Sequence, residues 1–360
     1  MPTMQIRTDF LKQDMIIRAD VYTSSGVVIV PKDTVVSKEV CSLLTKHHIT
    51  EVTIGCDEPV PEENAPAPQA WQPVLDPEKL EDFRQTFRIT EDSLSQCLKD
   101  IVYHDEEVNV PLLLSMVNDI VEKSDNVMNL CDMLFFMKES AGSLYTHAIN
   151  TSLFAQLLAR WANLPEKDIE AVGIAGLLHD IGHLKCQEEG ETFTSFHDEM
   201  DKLCCENHVA YSYNLCKDKN IDIRIKQAIL THHERLDESG FPLAVSQKNI
   251  NEISRILAIA DVYDTLTMLE DKNERLSPFE ALTRLDDISY GKLDPRLLMI
   301  FLEHITQNFI QHRVLLSTND IGTIVMINKM NLPKPLVQLD KGGFIDLSSR
   351  KDVSIVAVLN

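Results

Sequence analysis

Several helical segments of this 360-residue chain carry an apolar face that ends in histidine or aspartate. The clearest case leads into the stretch ILTHHERLDESGFP, where Ile225, Ile229 and the pair His232 and His233 share one face at spacings i, i+4, i+7 and i+8. Buried imidazoles need partners, because each hydrogen bond left unmade costs about 1–3 kcal/mol. The helices must therefore pack so that these polar side chains are solvated, hydrogen-bonded or bound to an ion.

The same pattern recurs elsewhere in the chain. The further positions are His147, His179, Asp180, His208, Asp261 and Asp264. Taken alone, each histidine could be an ordinary buried, hydrogen-bonded residue, and each aspartate could be exposed. Taken together, the five imidazoles and two of these three carboxylates fit a pair of octahedral first-row divalent ions, such as iron or manganese, that share one carboxylate. A single tetrahedral zinc would leave ligands over.

Periodicity divides the chain into four parts. Residues 1–57 combine short strand-like runs with one helical stretch, and residues 58–77 are a linker rich in Pro, Ala and Glu. Residues 78–313 are helical almost throughout, and residues 314–360 are strand-like again. The sequence therefore predicts a mainly α protein, in which a helical bundle is flanked by a small N-terminal α+β domain and a short C-terminal β unit.

Composition limits the partners and the location. The net charge of -22 argues against a nucleic acid polymer and against an anionic membrane surface as partners. The chain has no apolar run near the roughly 18 residues that a membrane span needs, and its N-terminus lacks the apolar stretch of a signal peptide. Eight cysteines without a CxxC motif favour reduced thiols. We therefore expect a cytoplasmic protein with no membrane partner.

Three motifs resemble the HD-GYP family of HD-superfamily metal phosphohydrolases. His179 and Asp180 match the "HD" pair, and HHERLDESGFP resembles the HHExxDGxGYP-type signature. The segment ADVYDTLT, which begins at Ala260, resembles the ADxxDALT segment of the family. The similarity extends over about residues 143–308. It implies that the helical bundle has the HD-domain fold.

The resemblance also implies a set of metal ligands and a chemistry. All seven metal positions of the family are filled: His147, His179 and Asp261 for one ion, His208, His232 and His233 for the other, and Asp180 as the bridge. In the family, a hydroxide that bridges the ions opens a cyclic dinucleotide, above all cyclic di-GMP, to pGpG and sometimes on to GMP. The implied cofactors are therefore two divalent metal ions, iron or manganese, and the implied partner is a cyclic dinucleotide.

The substrate-binding positions depart from the family pattern. His183 stands where the family has a lysine, and Glu270 and Asn273 stand where it has arginines. Phe241 replaces the tyrosine of GYP, and Glu238 replaces a glycine. Fewer positive charges near an anionic substrate should weaken its binding, because each charge-assisted contact contributes about 1.5–3 kcal/mol.

The resemblance and the residues around it assign further roles. The expected catalytic residues are Asp180 and His183. The expected substrate-binding residues are Arg235, Gly240, Phe241 and Pro242. Ser143 stands where some members have a glutamate for a third metal, so two ions are expected. The remaining histidines, His312 among them, have no ligand partners in sequence and are expected to be structural or exposed.

Two classes of function stay open at this point. The first is a metal-dependent phosphodiesterase that hydrolyses cyclic di-GMP, or another phosphoester in the same site. The second is a catalytically weak or inactive HD-GYP-like module that binds metal and acts as a ligand sensor or a protein-interaction platform. The helices between residues 78 and 138 could form a homodimer interface, which the sequence alone does not establish.

Overall fold

A computed structural model describes residues 3–8, 11, 15–22, 28–46, 49, 51–55, 77–124, 127–136, 143–188, 207–267, 276–350 and 352–359. Most of these residues are helical, which confirms the predicted mainly α fold. The predicted linker, residues 58–77, lies outside the described residues except for Pro77, at which a helix begins. No helix in the described ranges combines the length and the apolar character that crossing a bilayer requires.

The N-terminal residues form a small α+β unit. Its elements are β1 (Thr3–Arg7), β2 (Ile16–Ile17), β3 (Val21–Tyr22), β4 (Val28–Val30), β5 (Thr34–Val35), α1 (Lys38–Lys46) and β6 (Glu51–Gly55). One sheet has the strand order β1-β6-β2-β5, and β3 pairs with β4. Ile17, Val30 and Leu44 belong to an apolar cluster separate from that of the helices. The helix α1 agrees with the one helical stretch predicted for residues 1–57, and the strand β6 agrees with the strand-like runs predicted there.

The helices that follow make up the body of the protein. They are α2 (Pro77–His104), α3 (Val110–Glu122), α4 (Val127–Phe136), α5 (Leu144–Trp161), α6 (Glu166–Leu178), α7 (His183–Glu188), α8 (Asn207–Cys216), α9 (Ile223–Thr231), α10 (Glu252–Thr267), α11 (Pro278–Ser289) and α12 (Pro295–Asn308). Proline is tolerated in a first turn, since its missing N–H has no partner there. Pro278 and Pro295 each begin a helix, after the capping side chains Ser277 and Asp294.

The centre of the bundle is formed by α5, α6 and α10, which pack against one another. A side chain at Gly176 of α6 would place its Cβ 2.5 Å from the Ser152 Cα of α5, so glycine allows the two helices to approach closely. This contact brings the start of α5 next to the end of α6. Consequently the rings of His147 and His179 lie 5.2 Å apart, centroid to centroid.

A five-stranded antiparallel sheet closes the chain. Its strands are β7 (Arg313–Leu316), β8 (Ile321–Met326), β9 (Leu336–Leu339), β10 (Phe344–Asp346) and β11 (Ile355–Leu359), in the order β10-β9-β8-β7-β11. Val314, Ile324 and Ile355 are buried in the same apolar core as the helices. The Ser277 hydroxyl before α11 also donates to the Ile355 carbonyl at 2.6 Å. The predicted strands are therefore present, while the boundary at residue 313 stays a prediction because one core extends across it.

Candidate metal centre

The seven side chains singled out from the sequence come together in two buried groups. In one group, the ligand atoms of His147, His179 and Asp261 lie within 4.8 Å of one another. In the other, those of Asp180, His208, His232 and His233 do the same. The resemblance had assigned the first three residues to one ion and the three histidines of the second group to the other, with Asp180 as the bridge, and this assignment stays a prediction. The close approach follows from the packing of α5, α6, α8, α9 and α10.

His179 and His232 are oriented by the same local arrangement. Each follows the last residue of an apolar helix, and its Nδ1 lies 2.8 Å from the carbonyl oxygen three residues earlier, that of Gly176 or Ile229. A carbonyl oxygen only accepts, so Nδ1 carries the proton and donates it. Burial lowers the pKa of His179, and it lowers that of His232 to about 3. Both rings are therefore neutral, and each Nε2 directs a bare lone pair into the cluster.

Those lone pairs meet other imidazoles. The Nε2 atom of His179 lies 3.3 Å from the Nε2 atom of His147, and the Nε2 atom of His232 lies 3.5 Å from that of His208. Two ring nitrogens at this separation repel each other unless a proton or a cation lies between them. The cluster therefore has the electronic character of a cation site.

Asp180 lies between the two groups. Its Oδ1 is 3.2 Å from His208 Nε2, and its Oδ2 is 3.5 Å from His179 Nε2. Oδ1 is buried and accepts no well-directed hydrogen bond from the described residues. Burial alone would raise the pKa of Asp180, but the surrounding imidazoles, His179 foremost, hold it well below its ordinary value. An ionised carboxylate with one oxygen toward each group is suited to be shared by two ions.

His147 is held between two aspartates of α10. Its Nδ1 lies 2.8 Å from Asp264 Oδ2, and its Nε2 lies 3.2 Å from Asp261 Oδ1. Burial opposes the charge on His147, yet the hydrogen bonds to Asp261 and Asp264 raise its pKa to about 10. Without metal, His147 therefore stays protonated, and the two aspartates stabilise its positive charge.

Asp264 was not among the predicted site residues. Its alignment with Asp261 on one helical face was visible in the sequence, but its role depends on the contact with α5. A carboxylate behind a ligating histidine is common in metal sites, where it fixes the tautomer and orientation of the ring. These carboxylates, the imidazoles and the unsatisfied lone pairs fit divalent metal ions.

His183 lies against this centre. Its ring stacks on His208 with a centroid distance of 4.3 Å, and its Nε2 is 3.7 Å from Asp180 Oδ2. Burial lowers the pKa of His183 to about 3, so it is neutral at physiological pH, unlike the lysine of the family. Lys185 does not supply the missing charge, since its ammonium pairs with Glu188 at 2.8 Å and lies over the Tyr103 ring.

The signature loop forms one wall of the centre. The Phe241 ring stacks on His233 at 4.6 Å between centroids, and the residue as a whole is partly exposed. A Cβ at Gly240 would lie 2.3 Å from the His233 carbonyl oxygen, so the loop requires glycine there. Pro242 is exposed at the end of the turn.

Arg235 and Glu234 stabilise this loop through hydrogen bonds to its backbone. Arg235 is 1% exposed, and its Nη1 donates to the carbonyl oxygens of His232 and Glu234. The Glu234 carboxylate accepts the backbone N–H groups of Leu243 and Val245 at 2.7 and 3.0 Å. Both contacts support the loop backbone, while the expected contact of Arg235 with substrate stays a prediction. Glu270 and Asn273 lie outside the described residues.

Residues 129–297 match the family model of the HD domain. "Cyclic di-GMP phosphodiesterase PA4108" of Pseudomonas aeruginosa is 24% identical over 204 residues, which cover 56% of this chain and 49% of that protein. "3'3'-cGAMP-specific phosphodiesterase 1" of Vibrio cholerae is 28% identical over 169 residues, which cover 46% of this chain and 38% of that protein. The chain thus spans about half or less of the length of these relatives.

A solved structure also resembles the chain. It is "Bd1817, a HDG"Y"P protein from Bdellovibrio bacteriovorus", at 15% identity and a TM-score of 0.39, with 83% of this chain and 98% of that chain covered. The resemblance predicted from the motifs is confirmed: residues 129–297 match the HD domain model, and the chain is similar to a cyclic di-GMP phosphodiesterase and to a 3'3'-cGAMP-specific phosphodiesterase.

Proposed function

We propose that this chain is a metal-dependent phosphodiesterase that hydrolyses a cyclic dinucleotide. The observation that carries the proposal is the convergence of the bare Nε2 atoms of His179 and His232 with the ionised carboxylate of Asp180. A divalent cation would stabilise such a set of converging acceptors. The names of the relatives, cyclic di-GMP phosphodiesterase and 3'3'-cGAMP-specific phosphodiesterase, support the substrate class.

The ligand assignment follows the two groups of side chains. His147, His179 and Asp261 would hold one ion, His208, His232 and His233 the other, and Asp180 both. Divalent ions in such a centre act as Lewis acids on phosphate oxygens and lower the pKa of bound water. Attack by a bridging hydroxide, which the resemblance implies, stays a prediction, as does the choice between iron and manganese.

The residues of the chain have roles beside the metals. Asp264 fixes the ring of His147, which keeps Nε2 directed into the centre. Phe241 stacks on His233 and is partly exposed, so a purine base could stack on this ring. His183 can exchange a hydrogen bond with a phosphate oxygen but, being neutral, adds no positive charge. We therefore expect slower turnover than with a lysine at this position.

The neutral state of His183 also favours a second candidate function. If the reaction needs the missing positive charges, the chain would bind metal and dinucleotide without rapid hydrolysis. It would then serve as a ligand sensor or an interaction platform. The metal centre is common to both candidates, so the substrate assay must separate them.

The experiment compares three proteins loaded with Mn²⁺ against cyclic di-GMP and 3'3'-cGAMP in separate assays. They are the natural chain, Asp180→Ala, and the double variant His183→Lys with Glu270→Arg. The proposal expects hydrolysis by the natural chain, none by Asp180→Ala, and faster hydrolysis by the double variant, about tenfold for each 1.4 kcal/mol of transition-state stabilisation gained. Activity only in the double variant would favour the sensor. Inactivity of all three proteins, with Mn²⁺ bound, would exclude both dinucleotides as substrates.

A further inference from the structure

A carboxylate from α2 contacts the first turn of the helix that carries His147. Ser143 caps α5, where its hydroxyl accepts the Thr146 N–H at 3.0 Å. The Ser143 hydroxyl in turn donates to Glu91 Oε1, and the Thr146 hydroxyl donates to the same oxygen at 2.8 Å. One oxygen of Glu91 therefore binds both hydroxyl groups at the start of α5. Glu91 lies well before residues 129–297, which match the HD domain.

This contact bears directly on the position of His147. The His147 N–H donates to the Ser143 carbonyl at 2.9 Å, so the first turn of α5 sets the backbone from which the imidazole extends. On the other side, Asp261 and Asp264 of α10 hold the ring. A negative charge at the start of a helix also stabilises its first turn, because the helix dipole is positive there. Glu91 thus fixes the backbone from which His147 extends, and Asp261 and Asp264 fix its ring.

The packing of α2 does not depend on Glu91. Phe87 and Leu94, which flank it on the same helix, are 2% and 0% exposed in the main apolar core. These side chains keep α2 against the bundle when the carboxylate is removed. The hydrogen bonds of Glu91 therefore fix the start of α5, and they are not needed to hold α2 in the bundle.

We propose that Glu91 is a positioning residue of the metal centre. Through Ser143 and Thr146 it holds the first turn of α5, so that His147 completes its group with His179 and Asp261. The inference rests on the proposed metal centre and extends it to a helix outside the segment that matches the HD domain. It also gives the Ser143 position a role that does not involve binding metal.

The experiment measures Mn²⁺ binding to the metal-free protein by calorimetry, with electron paramagnetic resonance to detect coupled manganese pairs. Glu91→Ala removes the acceptor, whereas Glu91→Gln keeps an amide oxygen that can accept both hydroxyl groups. Asp92→Ala, on the exposed side of the same helix, removes the same charge and is the matched control.

We expect two Mn²⁺ ions in the natural chain, in Asp92→Ala and in Glu91→Gln. In Glu91→Ala, one ion should bind as before, and the other should bind about tenfold or more weakly, as for other residues that orient ligands. At limiting Mn²⁺ the signal of the coupled pair should therefore fall in Glu91→Ala alone. Thr146→Val keeps the shape and the cap but loses one hydroxyl, and it should weaken the same ion to a smaller extent.

The failures of the two proposals are distinguishable. If the natural chain binds no Mn²⁺, the metal centre itself is wrong. If it binds two ions and Glu91→Ala binds both with unchanged affinity, only the role of Glu91 is overturned. If Glu91→Ala does not fold, Thr146→Val decides: weaker binding of one ion supports the inference, and unchanged binding of both overturns it.

Discussion

Two buried clusters in this molecule both combine histidine with aspartate, but they differ in how their polar atoms are paired. One is the metal centre. The other lies where α4, α12 and the start of β7 meet, and consists of Asp132, Asn308 and His312, which are 3–4% exposed. The Asn308 side-chain amide donates to Asp132 Oδ1 at 2.7 Å, and His312 Nε2 lies 3.1 Å from the same oxygen. Here one imidazole and one amide face a single carboxylate.

Burial alone therefore does not identify a metal site. In the Asp132 cluster, the carboxylate accepts from the Asn308 amide and lies beside the His312 ring, although neither ring nitrogen of His312 makes a well-directed hydrogen bond within the described residues. In the metal centre, ring nitrogens that carry no proton, those of His179 and His232, face other imidazoles. Convergence of acceptors, rather than the number of buried histidines, is therefore the diagnostic feature. Variants and pH titrations of the two clusters test this distinction.

The largest effect should be the pH dependence of the metal-free protein. The folded-state pKa of His183 and of His232 is about 3, against an ordinary value of 6.5. Between these values the unfolded chain binds protons that the folded chain does not, so stability should fall as the pH decreases from 6.5. The pKa of His147 is raised from 6.5 to about 10, so its stabilisation is complete below 6.5 and is lost as the pH rises toward 10.

The melting temperature of chelated protein should therefore be highest near pH 6.5 and decrease on both sides. A scan from pH 3 to pH 10 measures this, and the same scan with Mn²⁺ bound is the control. Bound ions replace the proton at His147, so the alkaline decrease should shrink when Mn²⁺ is present. A chelated protein whose melting temperature does not change over this range would contradict the assigned protonation states.

The second prediction concerns the aspartate behind His147. Asp264→Ala should weaken Mn²⁺ binding by about 10- to 100-fold, because the imidazole loses the partner that fixes its tautomer and orientation. Calorimetric titration of the metal-free protein measures the change. Asp132→Ala removes a similarly buried aspartate from the other cluster and should leave the affinity unchanged. Equal losses in the two variants would show that the clusters are not functionally distinct.

The third prediction is the converse and concerns the Asp132 cluster. Asp132→Asn should lower the free energy of unfolding by about 1–3 kcal/mol, because the buried Asn308 amide loses a charged acceptor and the His312 ring loses the carboxylate beside it. Urea denaturation measures the loss, and Asp92→Asn on an exposed helix face is the control. The number of Mn²⁺ ions bound per chain should stay the same. A lower number would mean that this cluster contributes to the metal centre.

The sequence indicated which buried histidines and aspartates come together, because helical periodicity carries that information. A residue that extends an apolar helical face must point toward the core, and His147, His179 and Asp261 all extend such faces. His312, which has no ligand partner in sequence, was expected to be structural or exposed, and its buried contact with Asp132 agrees with a structural role. Likewise, α1 lies within residues 1–57, for which one helical stretch was predicted, and β8, β9 and β11 lie within the strand-like residues 314–360.

The supporting residues could not be predicted in the same way. Asp264 acts on α5 from α10, and Glu91 acts on α5 from α2, so neither role is encoded in local spacing. The Glu234 carboxylate accepts the N–H groups of Leu243 and Val245, a contact within the loop that helical spacing does not encode either. Such contacts depend on how distant segments meet, which periodicity does not specify.

The smallest effect is expected for a substitution in the loop that forms one wall of the metal centre. Glu238, where the family has glycine, has a φ of 64°, in the left-handed region that disfavours side chains with a Cβ. Glu238→Gly should therefore raise the free energy of unfolding by about 1 kcal/mol, measured as a higher urea midpoint at unchanged slope. Glu170→Gly, on an exposed face inside α6, makes the same chemical change at a helical φ and should lower stability by about 1 kcal/mol. Mn²⁺ affinity should change in neither variant, since Gly240, Phe241 and Glu234 still fix the loop against His233. If Glu238→Gly instead weakened metal binding, the loop conformation at this position would be part of the metal centre, and the strain would be retained for function rather than tolerated.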